Sequence, residues 1–298
     1  GPQGMITNQQ NEWGCGYYRY PAQITITNST ISHSKQPGIY IGSTVDISGT
    51  LSVQNSVISD NKSYGIIVSE GFTTTLSSTV VASNSNTGFK ITSSQPIVLT
   101  DNTFNSNQGL AADLNISGQT MTLSGNSGAG NWYQSIRLSG TFNSISLAPQ
   151  GTLVYQLSGT IPAGKTVTLQ AGAITKLYDY GQINVFGVLT GYGTVNNPVV
   201  FTSWKDDTYG GDTNGDGSAS VPAPGNWNAI ELVGGSLNLD HAVVRYGGWS
   251  EGGSCNRGPQ GMITNQQNEW GCGYYRYPAQ ITITNSTISH SKQPGIYI

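Results

Sequence analysis

The sequence predicts an all-β fold, a right-handed parallel β-helix in which short strands stack coil upon coil into a solenoid. Three observations point there: apolar runs that recur every 23 to 27 residues, Asn and Gly columns at that same period, and a surface made of small polar residues in place of charges. The period appears when residues 24–41 (ITITNSTISHSKQPGIYI), 51–68 (LSVQNSVISDNKSYGIIV), 75–91 (TLSSTVVASNSNTGFKI) and 97–114 (IVLTDNTFNSNQGLAADL) are set in register. Ile31, Ile58, Val81 and Phe104 then share a column, as do Asn61, Asn84 and Asn107, and Gly38, Gly65 and Gly88. Periods of 20 to 50 residues mark solenoids or arrays, and each unit here holds two or three short β-branched runs separated by Asn, Ser and Gly.

Competing repeat folds do not fit. A leucine-rich repeat needs fixed Leu and Asn spacing, and helical repeats need a 3.6-residue apolar period; an antiparallel sandwich with turns every 8 to 12 residues would not align Asn with Asn at 23. One coil cannot bury its own inward face, but stacked coils form continuous Ile, Val, Leu and Phe columns. Asn at a fixed turn position is expected to take the left-handed conformation there and to form a side-chain amide ladder. The runs TVTLQAGAITKL, INVFGVLTG, PVVFTSW, NAIELVGGSLNLDHAVVRY and SISLAPQGTLVYQL show the same pattern with less regular spacing.

Composition agrees and narrows the function classes. Among 298 residues only 9% are charged, 36% are hydrophobic, 40 are glycine, and the net charge is −3. That balance argues against a nucleic-acid partner and against an acidic tail. No run of about 18 apolar residues is present, so no membrane insertion is expected within the segment, and the opening Gly-Pro-Gln-Gly is unlike a signal peptide.

A second repeat operates at longer range. Residues 1–41 recur without a change as residues 258–298, a period of 257. Chance does not produce 41 identical residues, so the chain reads as one period plus the opening of the next. At about 23 residues per coil and about 4.8 Å per rung, a period holds roughly 11 coils and is on the order of 50 Å long. Residues 1–298 are accordingly expected to form one continuous solenoid. Open solenoid ends are unpaired strand edges. The duplication implies that the C-terminal edge of one module continues into the first coils of an identical one, giving a fibre or stalk.

The stretch Ile161–Gly248, with IPAGKTVTLQAGAITK, GVLTGYGTVNNPVVFTSWKDD, GGDTNGDGSASVPAPGNW and LDHAVVRYGG, resembles the right-handed β-helix repeat proteins of bacterial cell surfaces and secreted adhesins. Residues 24–140 resemble them through more generic coil patterns. The resemblance implies the fold, an extracellular or cell-surface location and a structural or adhesive use, and it places a natural module boundary near Thr141.

Several motifs are candidates for chemistry. Asp206, Asp207, Asp212, Asn214, Asp216 and Ser218 lie in SWKDDTYGGDTNGDGS, and Asp-x-Asn-x-Asp-Gly matches the first half of a calcium loop, where alternate oxygens face one ion. The position that would need Glu is Ala223, so the loop is no EF-hand, and a structural calcium would draw on Asp206 or Asp207. The plain alternative is an Asx-rich solvated turn. Cysteines fall at 15, 255 and 272. A Cys255–Cys272 disulfide would contribute about 3 kcal/mol by loop entropy and needs an oxidising compartment, leaving Cys15 unpaired. Trp13, Tyr17, Tyr18 and Tyr20, repeated at 270, 274, 275 and 277, form an aromatic cluster suited to sugar stacking or to simple packing.

Enzyme chemistry is thinly represented. His33, its copy His290, and His241 have no nucleophile or metal-ligand partner at a telling spacing. A polysaccharide-lyase-like site would need acids and a base, with Lys205 or Arg245 nearest, gathered along one strand face. Asn28, Asn61, Asn115 and Asn285 stand in glycosylation sequons. The chain reads as a structural tandem module of a fibre or adhesin; the alternatives are a carbohydrate-binding surface module and, third, a lyase-like enzyme.

Overall fold

The computed structural model describes residues 4–11, 17–19, 21–42, 48–249, 261–268 and 274–298. All regular structure among them is β-strand. The chain divides into two compact units, Gly1–Leu138 with Gln150–Leu153, and Ser139–Pro149 with Val154–Ile298.

In the first unit three parallel walls rise together. One holds β4 (Gln23–Thr27), β7 (Gly49–Gln54), β10 (Phe72–Ser77), β13 (Ile97–Thr100) and β16 (Met121–Ser124). A second holds β5 (Thr30–Ser32), β8 (Val57–Ser59), β11 (Val80–Ala82), β14 (Thr103–Asn105) and β17 (Ser127–Ala129). The third holds β1 (Ile6–Thr7), β6 (Ile39–Ile41), β9 (Ile66–Val68), β12 (Phe89–Ser93) and β15 (Leu110–Ser117), after which β18 (Tyr133–Thr141) leads the chain onward. Alternate residues point inward, so Ile26, Val53, Leu76, Leu99 and Leu123 stack as one buried column. Ile31, Ile58, Val81 and Phe104 stack as another, in the register that their spacing predicts.

Each bend between walls has two parts. The first residue takes a left-handed conformation: Asn28, Asn55, Ser78 and Asp101 at one bend and His33, Asp60, Ser83 and Ser106 at the other, with φ between 48° and 61°. The residue that follows carries the ladder. Asn61, Asn84 and Asn107 each donate Nδ2 to the Oδ1 of the next asparagine, ending at Asn131, at 2.9 Å every time. Left-handed geometry was expected of the ladder asparagines themselves; it belongs instead to the residue before each, because the ladder side chain must turn inward while its neighbour reverses the chain.

The glycine column follows from the same ladder. A Cβ on Gly65 would lie 2.5 Å from the Gly88 carbonyl oxygen and 2.9 Å from Asn84 Nδ2, and one on Gly88 would meet Ala111 O and Asn107 Nδ2 at 2.8 and 2.9 Å. No side chain fits where the amide stack and the adjacent carbonyl approach so closely.

The second unit repeats the three-walled plan with longer coils. Its walls are β19 (Ile145–Leu147), β21 (Thr166–Gln170), β24 (Val188–Tyr192), β27 (Ser236–Asp240) and β32 (Gln280–Thr284); then β20 (Val154–Ile161), β22 (Ile174–Leu177), β25 (Val199–Ser203), β28 (Ala242–Arg245) and β33 (Thr287–Ser289); then β20 again with β23 (Ile183–Val185), β26 (Ile230–Leu232), β29 (Ile263–Thr264) and β34 (Ile296–Tyr297). The column Ile145, Val167, Leu189, Leu237, Ile281 advances by 22, 22, 48 and 44 residues. The long steps carry a loop over 204–229 and an antiparallel hairpin, β30 (Gln266–Asn268) with β31 (Tyr274–Arg276). Fewer coils therefore fit a period than an even 23-residue spacing suggests. The first copy has the same hairpin, β2 (Gln9–Asn11) with β3 (Tyr17–Arg19).

Candidate functional site

The acidic loop leaves β25, a strand buried along its whole length, and Asp206 turns back beneath it. Its carboxylate is fully buried. It accepts hydrogen bonds from Thr202 Oγ1, from Thr208 N at 3.2 Å and Oγ1 at 2.7 Å, and from Arg245 Nε at 2.8 Å, with Arg245 Nη2 at 2.6 Å. Burial pushes this carboxyl upward, but the bonds from Thr202, Thr208 and Arg245 and the guanidinium charge outweigh it and hold the pKa below the usual range. Arg245 also lies against the faces of Tyr209 and Tyr246, at 4.6 and 5.1 Å from the ring centroids.

A second internal cation faces the same loop. Lys176, on β22, is fully buried and donates Nζ to Gly211 O at 2.6 Å. Burial lowers its pKa to about 8, against the pull of Asp207, Asp206 and Asp212. Asp207 is pushed up, first by burial and then by Asp212, Asp216 and Asp206, with Lys176 opposing.

The remaining predicted ligands serve the loop's own turns. Asp212 accepts from the Gly215 and Gly217 amides, both at 2.8 Å; Asp216 accepts from Asn214 Nδ2 at 2.8 Å and from Ser220 Oγ; Ser218 is exposed. Among the described residues no three His, Cys, Asp or Glu side chains converge as a metal group. Of the acids expected to bind calcium, Asp206 is committed to Arg245, and the Lys176 ammonium faces Asp207 and Asp212. Buried oxygens on Asp207, Thr213 and Asn214 make no hydrogen bond, but they offer a single carboxylate.

Other candidates sort by position. Cys15, Cys255, Cys272, Trp13 and Tyr20 lie outside the described residues, while Tyr17 and Tyr18 fall on β3 of the first hairpin. Asn61 is fully buried in its ladder, so its sequon is incompatible with a glycan on the folded coil; Asn28, Asn115 and Asn285 are exposed. His241 sits 3.2 Å from Asp240, and His33 and His290 each contact the preceding serine. A groove of about 470 Å³ in the first unit is lined by Pro21, Gln23, Ser48, Thr50, Thr73 and Gln95 among others, with no charged side chain. Glu231 on β26 is a buried carboxyl that sequence reasoning did not single out. Gln182 Nε2 donates to it, and burial lifts its pKa to about 7.

The duplicated segment is the most informative site. Both copies fold alike, each with a short strand, a hairpin and one rung across three walls. Their partners differ. In the first copy Gln23–Thr27 pairs with Thr50–Gln54, Thr30–Ser32 with Val57–Ser59, and Ile39–Ile41 with Ile66–Val68. In the second copy the same residues, Gln280–Thr284 and Thr287–Ser289, pair with Ser236–Asp240 and Val243–Arg245. One rung sequence is thus seen with a following rung on one edge and, in its other copy, with a preceding rung on the opposite edge. Side chains take part as well: Ser29 N donates to Ser56 Oγ at 3.2 Å, while its equivalent Ser286 accepts from Ala242 N at 2.9 Å.

These stacked parallel walls define the molecule as a parallel β-helix. Residues 5–148 match the family model of the right handed beta helix region. No curated protein and no solved structure matches the chain. No helix among the described residues is long and apolar enough to cross a membrane.

Proposed function

We propose that this chain is a structural module of an extracellular or cell-surface fibre or adhesin, built for tandem repetition with the duplicated rung as the join. The observation that carries the reading is that one 41-residue sequence is accepted as a follower by the rung at 236–245 and as a predecessor by the rung at 50–68. A sequence with two satisfactory neighbours on opposite edges extends a stack without a special connector. The low charge and the Ser, Thr, Asn and Gly surface suit a solvated scaffold more than a substrate pocket, and the buried Asp206–Arg245 ion pair of the acidic loop acts as a fastener.

The test is a chain extended by one further 257-residue period. Electron microscopy is expected to show a thin rod of unchanged width, longer than the rod formed by the single-period chain. Two compact bodies joined at variable angles would refute the reading.

A further inference from the structure

We infer that the groove on the first wall of the first unit is a binding site, and that its ligand is a linear, uncharged polysaccharide lying along the solenoid axis. The inference rests on the surface-module reading above and deepens it by naming a site and a ligand class.

The groove holds about 470 Å³, within the range of about 300–1,000 Å³ that ligand sites occupy. Its lining comes from four successive coils, through residues 21–23, residues 48–50, Gly71 with Thr73, and Gln95. Coils rise by about 4.8 Å, so three steps give a groove roughly 14 Å long. Its floor is fixed by backbone. Thr50 N donates to Ala22 O at 2.9 Å and Gly49 N to Gly71 O at 3.1 Å, and a Cβ on Gly49 would run into Ala22 O and the ring of buried Phe72.

The lining chemistry selects the ligand. Gln23, Thr50, Thr73 and Gln95 can each donate and accept a hydrogen bond, as a sugar hydroxyl does. Among the described residues none of these four side chains uses that capacity on another protein group. Gln23 stands opposite Thr50, and Thr50 opposite Thr73, so like groups recur once per rung. A ligand that meets them in turn must itself repeat at about that step, as a chain of linked sugar rings does. Charge narrows the class further. The strands of this wall, QITIT, GTLSVQ, FTTTLS, IVLT and MTLS, hold no charged residue, and neither does the groove; an acidic polymer would find no counter-charge. The openness of Gln23 does not depend on where the sequence starts, because the equivalent Gln280 has the strand 236–240 before it and is exposed too.

Affinity electrophoresis of the full 298-residue chain tests the site, in gels carrying hydroxyethyl cellulose, galactomannan, arabinoxylan or dextran, with polygalacturonate as the acidic comparison. At least one neutral polymer is expected to retard the chain, and polygalacturonate is not. Gln23→Ala with Gln95→Ala removes two of the hydrogen-bonding side chains, and Thr73→Arg fills the groove; each is expected to raise the apparent Kd at least tenfold. Ser124→Ala, on the same wall beyond the groove, is expected to change nothing. All of these side chains lie on the outer face, so melting temperatures close to the wild type show that a loss of binding is not a loss of fold. Retardation by none of the neutral polymers overturns the inference, as does equal retardation by polygalacturonate or binding that survives both groove variants. If no polymer binds while a chain extended by one period forms a straight rod, the ligand assignment fails and the module reading stands.

Discussion

Asn107 stands in the middle of the buried amide ladder, and replacing it with alanine tests whether that ladder holds the first unit together. Its Oδ1 accepts from Asn84 N at 3.2 Å and Asn84 Nδ2 at 2.9 Å, and its Nδ2 donates to Val81 O and Asn131 Oδ1, both at 2.9 Å. Alanine orphans the Asn84 backbone N–H and one Asn84 amide proton, the other being held by Ile58 O at 3.2 Å. At about 1–3 kcal/mol for each of these two buried unsatisfied donors, the expected loss is about 2–6 kcal/mol. With about 2–4 °C per kcal/mol for a unit of this size, the melting temperature of the first unit falls by roughly 10 °C. Asn115→Ala, on the exposed face of β15, is the control and should stay within about 0.5 kcal/mol. Asn107→Asp sharpens the test. It keeps the acceptor but aims a carboxylate oxygen at Val81 O and Asn131 Oδ1, so it should be worse at neutral pH than near pH 3, where a protonated carboxyl donates again. Calorimetry supplies the melting temperatures, and amide exchange at Asn84 locates the damage. A loss below 1 kcal/mol for Asn107→Ala would show that the ladder is ornament to the hydrophobic columns.

Gly65→Ala, at a position with no left-handed backbone, tests space alone; overpacking against Gly88 O and Asn84 Nδ2 should cost about 1–3 kcal/mol by thermal denaturation, and a neutral result would refute the close approach. Asp206→Ala leaves the Arg245 guanidinium without its buried partner, a change that costs about 3–5 kcal/mol; limited proteolysis should show faster cutting within 204–229, and an unchanged pattern would mean the ion pair does not hold that loop. Glu231 has a folded pKa of about 7 against an ordinary 4.5, so the folded state retains a proton the unfolded chain has lost. Its contribution is greatest below pH 4.5 and falls as pH rises toward 7, by at most about 3 kcal/mol. Glu231→Gln should flatten that decline, and an unaltered pH profile from 4.5 to 7 counts against a buried neutral carboxyl. Calcium should leave the melting temperature of the wild type within about 1 °C, since saturation of a real site at a hundred times its Kd would add about 2.7 kcal/mol; a rise of several degrees would show that the acidic loop rearranges around an ion.

The parts of the fold visible in the sequence are those where one residue type repeats down a column. Ile31, Ile58, Val81 and Phe104, and the asparagines beside them, could be aligned by eye because their chemistry hardly changes from rung to rung. A second ladder is hidden in the sequence for the opposite reason. It runs through Ser29, Ser56, Thr79, Asn102, Asn126 and Gln150, residues that share only a side-chain oxygen able to accept a backbone N–H. The hairpins at Gln9–Asn11 and Gln266–Asn268 were hidden because strands of Gln and Asn have no apolar alternation to betray them. In the acidic loop the carboxylates could be counted, but not their cations. Lys176 precedes Asp206 by a full coil and Arg245 follows a full coil later, so only the stacking brings them together. The duplication was plain as text, whereas the use of opposite edges by the two copies belongs to three dimensions.

The asparagine ladder also has a direction. Each Oδ1 takes its protons from the rung before it, while the second Nδ2 proton goes back to a backbone carbonyl of that rung, as from Asn84 to Ile58 O and from Asn107 to Val81 O. A stack of such rungs has a direction in its side-chain amides: every ladder Oδ1 faces the preceding rung, so the two ends of the ladder differ chemically. Two such ladders cannot join end to end in mirror fashion, so every module in a tandem row must face the same way.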